Sequence, residues 1–377
     1  MRVAMLIRAY APRVGGAERQ LGAIAPRLKA AGVDVHVITR RDHQLPAFSV
    51  VDDIPVHRVP VPGPPAVASL AYTAGALALL RRLRPDVVHA HEFFSPGTTA
   101  SAAKRLLHLP IVATAHRSGP LGDIATLRAS RGGEQRLAAL RTNVDRFVVI
   151  SDDISDELAA VGIPRQRQVQ IVNGVDERRF HPPEPGEKAR LRAELGLPLD
   201  GPLALFTGRL ADEKRVAHLL DVWPAVRSRH PEASCAVLGT GELEPQLRSR
   251  NVAGVHFHGL VDDVSPYHRA SDLFVLPSIA EGLSVAMLEA LASGVPALMS
   301  NVGGTGQVIE HGHNGWLTEP DDVPALRDAL ITLLGDPALL QRMGQQGRRT
   351  VEARYTLDVA VGRHVELYRQ VATTPSG

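Results

Sequence analysis

The chain has 377 residues, a formal net charge of +2, 44% hydrophobic and 22% charged residues, a composition that fits a globular protein of two or three domains and excludes a disordered or collagen-like chain. A single cysteine, Cys235, excludes an intramolecular disulfide framework and fits a reducing compartment; no Cys/His cluster has structural-zinc spacing. The longest apolar stretch, AVASLAYTAGALALL at 66–80, falls short of the roughly 18 residues of a spanning helix.

In chain order, MRVAMLIRAYAP alternates like a strand, and its apolar run is too short for a signal peptide. Short Val/Ile-rich runs then alternate with helical patterns. The runs are 2–7, 34–40 (DVHVITR), 86–91 (DVVHAH), 111–116 (IVATAH), 146–151 (RFVVIS) and 169–174 (VQIVNG). Continuous apolar runs of this length suit strands buried on both faces, and repeated β-α units predict a parallel doubly wound sheet. The segment 16–32 shows helical spacing and a closing glycine.

At 180–202 (FHPPEPGEKARLRAELGLPLDGP) prolines and charges dominate, which reads as a linker with a short helix. The alternation restarts at 203–210, 234–241, 255–260, 273–278, 296–301 and 315–320. The expected division is 1–180, a linker 181–202, a second β/α domain 203–355 and a terminal helix with tail, 356–377, packing back on the first domain. The last residues, TTPSG, read as frayed. Ligands bind beyond the carboxyl ends of strands in open α/β sheets, so two such domains face each other across a cleft in this reading. The residues just after the strands carry the interest: Gly15, Gly16, His91, His116, Ser151, Asn173, Arg209, Gly239, Gly241, Glu281, Gly303 and Gly304.

The stretch EGLSVAMLEALASGVP, 281–296, is the most telling. Ser284 suits an N-cap, Gly294 a residue just past the helix end, and Pro296 a stop, so the helix spans about 285–292. Glu281 then lies in the loop before the helix and Glu289 about one turn inside it. The N–H groups at 284–287 suit a phosphate, and Glu289 is placed to reach a diol further along a nucleotide. In FTGRLADEKR, 206–215, Gly208 and Arg209 end a strand and Lys214 follows a tight acidic turn; an Arg and a Lys converging there suit a diphosphate. LGTGEL, 238–243, is a glycine-rich strand end that admits close backbone approach. Paired glutamates around a helix start are also common surface charge, so each of these signals is weak alone.

Taken together, GGAER, DVVHAH, TAH, VNGVD, GRLADEK, FHGLVDD, SDLFVLPSIAEGLSVAMLEALASGVP, NVGG and HNGW resemble the retaining glycosyltransferases of family 4 over nearly the whole chain. The resemblance implies the GT-B fold, two Rossmann-like doubly wound β/α domains facing across a cleft. It implies that Arg209 and Lys214, with Gly208, bind a donor diphosphate. Glu289 would hold the ribose. Glu281, with the backbone of Gly282, Leu283 and Ser284, would address the donor sugar and its phosphate. Gly239 and Gly241 would lie along the donor, and Leu260 and Val261 would border the base. Gly16 would approach the phosphates, and Gly15, His91 and Asn173 the acceptor. His116 matches the family histidine beside the reacting sugar. The family often has an acid a few residues after NVGG; here Gln307 stands in that loop.

The implied reaction moves a hexose from a nucleoside-diphosphate sugar, UDP first and GDP next, to a hydroxyl of a lipid-linked sugar, a polysaccharide or a small molecule. It would proceed by same-face attack, without a cofactor or an obligatory metal. No nucleic acid is implied. The net basic first half fits an anionic acceptor or the inner face of the membrane, and scattered solvated arginine explains the same imbalance; the expected location is cytoplasmic. The alternatives are a GT-B nucleotide-sugar epimerase or phosphorylase, and a nucleotide-sugar-binding protein without turnover. A dinucleotide oxidoreductase lacks its G-x-G-x-x-G with a downstream acid.

Overall fold

A computed structural model describes residues 1–12, 15–42 and 44–373. The TTPSG reading falls largely on residues 374–377, outside the described residues. The chain divides into two compact units, Met1–Asn173 with Leu357–Gly377, and Gly174–Thr356.

The first unit is built on eight strands: β1 (Arg2–Leu6), β2 (Asp34–Arg40), β3 (Phe48–Val51), β4 (Ile54–Val59), β5 (Val87–His91), β6 (Ile111–Ala115), β7 (Arg146–Val149) and β8 (Gln168–Gln170). Their order is β3-β4-β2-β1-β5-β6-β7-β8. Every neighbouring pair is parallel except β3 with β4. That hairpin corrects the all-parallel expectation. Its two-residue turn, Asp52 and Asp53, has φ of 47° and 62°, the left-handed pair that matches strand twist. β5 and β6 are buried at every position, as continuous apolar runs predict.

The core of this unit joins Leu21, Ile24, Ala25 and Leu28 of the helix Gly16–Ala30 to Val3, Met5, Val35 and Val37 of the sheet. The last helix, Leu357–Thr373, supplies Val361, Val365, Leu367, Tyr368 and Val371 to the same core. Residues more than 300 positions apart thus complete one hydrophobic layer.

The second unit holds β9 (Leu203–Thr207), β10 (Ser234–Leu238), β11 (Val255–Gly259), β12 (Leu273–Leu276), β13 (Ala297–Ser300) and β14 (Gly315–Thr318). They form a parallel sheet in the order β11-β10-β9-β12-β13-β14. Cys235 lies fully buried in β10.

Residues 181–202 are no linker, and the first unit ends at Asn173 rather than 180. Phe180, Leu191 and Leu197 are buried, and the helix Glu187–Glu194 sends Arg192 into the second unit. There its guanidinium binds the carbonyls of Ala270 (3.0 Å) and Gly201 (2.9 Å) and the carboxylate of Asp272 (2.7 Å). A segment whose apolar and cationic side chains are buried this way belongs to the domain it packs on.

Among the parallel strands of each sheet the order reverses once: between β1 and β5 in the first unit, and between β9 and β12 in the second. Such switch points open a crevice at the carboxyl ends of the strands. Arg8, His91 and Glu92 follow the first pair of strands. Gly208, Arg209 and Glu281 follow the second.

Candidate active site

In the second unit three loops converge on Glu281. The chain leaves β12 and enters the helix Val285–Ala292, which Ser284 caps by accepting a hydrogen bond from the Met287 N–H at 3.3 Å. The helix geometry leaves the Val285 and Ala286 N–H groups without helical partners. Gly294 has φ of 71° and ends the helix. Glu281 sits before the cap with its side chain 10% exposed, and its Oε1 accepts from Lys214 Nζ at 2.6 Å. Lys214 comes from the turn Asp212–Lys214 after β9. The two loops are also joined through the backbone, where Ile279 N–H donates to Glu213 carbonyl at 2.9 Å.

The third loop follows β13. Gly303 has φ of 56°, and a Cβ there would stand 2.2 Å from the Glu281 carbonyl. Gly304 N–H donates to Gly282 carbonyl at 2.6 Å. The NVGG loop therefore clamps the backbone that carries Glu281, and this requires glycine. Nearby, the Gln307 carbonyl accepts from Tyr355 hydroxyl at 3.1 Å.

Arg209 is half-exposed and paired with Glu213. Gly239 and Gly241 have a packing reason: a Cβ on either would meet the carbonyl of Gly208 at 1.9 Å or of Leu210 at 2.3 Å. They let the loop after β10 lie against the loop that carries Arg209. Leu260, 70% exposed, and half-buried Val261 follow the edge strand β11. Buried Leu283 precedes the cap. Glu289 is nearly buried in the helix, with its carboxylate 3.8 Å from Nε2 of the fully buried His268.

In the first unit, His91 ends β5 and His116 follows β6. Their rings stack with centroids 5.5 Å apart, and His91 Nδ1 lies 3.3 Å from His116 Nε2. The His116 backbone N–H donates to Asp123 Oδ2 at 2.5 Å. Burial lowers the His116 pKa to about 4, with Arg117 adding to the shift; burial, then His116 and His364, push His91 well below the usual range. Both rings are neutral at pH 7. His89 is a core residue, hydrogen-bonded to Tyr368 hydroxyl and Thr114 Oγ1, each at 2.7 Å.

Asn173, buried, lines the same cavity of about 20 Å³ as His91 and His116. Gly15 is extended at the start of the helix Gly16–Ala30, with the Glu18 carboxylate 2.3 Å from where its Cβ would stand; Gly16 has open space there. Ser151 caps the helix Asp152–Ala160.

Glu92 is absent from the sequence-based candidates. It follows His91 at the switch point with φ of 79°, an uncommon value for a residue with a side chain. Its carboxyl is mostly buried, 3.6 Å from the Arg8 guanidinium, and Oε2 has no hydrogen-bond donor among the described residues. Burial raises its pKa from 4.5 to about 7, against the opposing pull of Arg8. A raised folded-state value means the stabilisation is full below about 4.5 and is lost as pH rises through about 7. Glu92→Gln, which cannot ionise, is expected to remove this slope. The variant should gain on the order of 2 kcal/mol over wild type between pH 4.5 and 8, measured by urea denaturation at several pH values. A wild-type advantage that does not change with pH would show that Glu92 stays ionised.

Among the described residues, no group of three or more His, Cys, Asp or Glu is arranged to hold a metal ion, and no helix is long and apolar enough to cross a membrane.

Residues 14–179 match the family model described as Glycosyltransferase Family 4, and residues 201–336 the one described as Glycosyl transferases group 1. The chain is 28% identical over 400 residues to the alpha-maltose-1-phosphate synthase of Mycolicibacterium smegmatis, covering 99% of this chain and 100% of that one. It is 30% identical over 298 residues to the sulfoquinovosyl transferase SQD2 of Arabidopsis thaliana, covering 75% of this chain and 56% of that protein. The crystal structure of Anabaena HepE in complex with UDP-glucose superposes with a TM-score of 0.82 at 19% identity, covering 98% of this chain and 100% of that one. Two parallel α/β units with this likeness identify the GT-B fold. The chain belongs to glycosyltransferase family 4, the glycosyl transferases group 1.

Proposed function

We propose that this glycosyltransferase is a metal-independent, retaining hexosyltransferase that uses a nucleoside-diphosphate sugar, UDP-linked before GDP-linked. One observation carries the reading: the Lys214–Glu281 ion pair stands beside an uncapped pair of helix N–H groups at a switch point. A diphosphate needs cations and N–H donors, and a sugar needs a carboxylate acceptor; the three lie on converging loops. Arg209, exposed and paired with the mostly buried Glu213, would turn from that partner toward a phosphate. On binding, Lys214 exchanges part of its contact with Glu281 for the diphosphate, and Glu281 turns to the sugar hydroxyls. Glu289 takes the ribose.

In the transfer step the bond from the anomeric carbon to the leaving phosphate oxygen breaks. The acceptor oxygen bonds to that carbon on the same face, and its proton passes to the departing phosphate. Lys214, Arg209 and the helix N–H groups stabilise the charge left on the diphosphate. The family resemblance assigns His116 to the transferred sugar. The neighbour bound to UDP-glucose supports UDP as the donor base. The acceptor is a hydroxyl of a lipid-linked sugar, a polysaccharide or a small molecule, and the relative named for maltose 1-phosphate synthesis supports the last of these.

The test is isothermal titration of UDP, GDP and ADP into the wild type and Glu289→Ala, without added metal. One diphosphate should bind clearly, with at least about tenfold weaker binding in the variant, the size of a lost charge-assisted hydrogen bond. No binding by any of the three sinks the donor reading; undiminished binding in the variant removes Glu289 from the ribose.

A further inference from the structure

The buried side of the His116 ring has a built support that the reaction as proposed does not use. His89, His91 and His116 stack in succession, with centroids 4.2 Å apart for the first two and 5.5 Å for the second two. His89 is locked at both nitrogens, by Tyr368 of the last helix and by Thr114 of β6. His91 is buried, so it does not offer an acceptor the open face expected of it. Its Nδ1 meets His116 Nε2, and its Nε2 is buried with no hydrogen-bond partner among the described residues.

Two neutral imidazoles joined by one hydrogen bond have two arrangements. In one, His116 Nε2–H donates to His91 Nδ1, which forces the His91 proton onto Nε2 and leaves a buried N–H without an acceptor. In the other, His91 Nδ1–H donates to His116 Nε2, and only a lone pair is left unmatched. Orphaned buried N–H groups are the rarer and costlier outcome. The adjoining cavity does not reverse this: most of its exposed wall is apolar, with Met5, Leu21, Ile24, Val148, Ile150 and Ile171, and although Gln20, Asn173, His364 and Tyr368 also line it, none of them hydrogen-bonds His91 Nε2.

We infer that His91 is a positioning residue that holds His116 as the Nδ1–H tautomer, so that the nitrogen turned away from His91 is a hydrogen-bond donor. The consequence for transfer rests on the reading of His116 as the residue against the sugar. A donor nitrogen there binds a sugar oxygen and stabilises developing negative charge, and it takes no proton from the acceptor.

The experiment is a long-range 1H–15N correlation on full-length protein labelled with 15N-histidine, at pH 7 and without ligand. His116 is assigned by the signal lost in His116→Gln. The wild type should show His116 protonated at Nδ1. His91→Phe should move the balance toward Nε2–H, the form that free imidazole prefers. His91→Asn, whose amide nitrogen stands where Nδ1 was, should restore the Nδ1–H form. His116 protonated at Nε2 in the wild type overturns the inference outright, and so does a tautomer unchanged in His91→Phe. Should His91→Phe fail to fold, the wild-type and His91→Asn spectra still decide. In turnover, His91→Phe should lower kcat about tenfold with donor KM nearly unchanged, and His91→Asn should recover most of it. Because the spectra need no donor, failure of the nucleotide-sugar reading would appear separately, as absent nucleotide binding with the tautomer intact.

Discussion

Replacing Lys214 with Ala is expected to lower sugar transfer by about two to three orders of magnitude, the loss seen when one preorganised stabiliser of transition-state charge is deleted. Two effects add. In the proposed binding mode the leaving diphosphate would lose an ammonium, and Glu281, only 10% exposed, loses the partner 2.6 Å away that makes its charge tolerable. An uncompensated buried carboxylate takes up a proton or draws in water, and either change moves it from the geometry the loop after β13 imposes. Glu281→Gln separates the two effects, because it removes the charge on one side and leaves Lys214 for the diphosphate. The measurement is kcat/KM with the best-bound nucleotide sugar for both single variants and the double variant. Strong non-additivity is expected of a pair that acts as a unit. A loss under tenfold in Lys214→Ala would reduce Lys214 to a neutraliser of Glu281. Lys214→Arg is not expected to rescue fully, since the guanidinium is planar and longer.

The second large effect lies away from the chemistry. Asp272→Ala should destabilise the second unit by about 3–5 kcal/mol, the cost of stranding a buried charge. Asp272 Oδ2 accepts from Arg192 and from the Leu203 N–H, each at 2.7 Å, and its other oxygen pairs with Lys188. Arg192, with 6% of its side chain exposed, cannot reach water when that partner goes. For a unit of this size the melting temperature should drop on the order of 10 °C. Calorimetry of the full chain should show the shift in the transition of the second unit alone. Asp272→Asn keeps one acceptor and should fall between. A shift of less than about 2 °C would mean that water replaces the carboxylate.

The helix Val285–Ala292 was legible because every local signal agrees: a capping serine, an apolar run, a left-handed glycine and a proline stop. The buried strands were legible for the same reason. The hairpin Phe48–Val59 was missed because its turn is Asp-Asp, without the glycine that usually marks a two-residue turn. Residues 181–202 misled because prolines and charges look like a linker, while the partner that buries Arg192 is Asp272, 80 positions away. The sequence shows at Gly239 and Gly241 only room for close approach, and the approaching group is the protein's own backbone. Glu92 had no local signal at all: its left-handed backbone and buried oxygen are properties of the folded sheet. Only the strand-end position next to His91 pointed to it.

The second unit interrupts the first, leaving after Asn173 and returning at Leu357. Its own ends are tied together, since Val175 bridges to Thr356 and the Val175 N–H donates to Tyr355 carbonyl at 2.9 Å. During synthesis on a ribosome this reverses the usual order. The second unit can close its fold as soon as Thr356 emerges. The first, although made earlier, waits with the face over Val3 and Leu21 uncovered until Tyr368 and Val371 arrive. A nascent chain stalled anywhere before the last helix therefore carries an unfinished leading half with that apolar face still open to water.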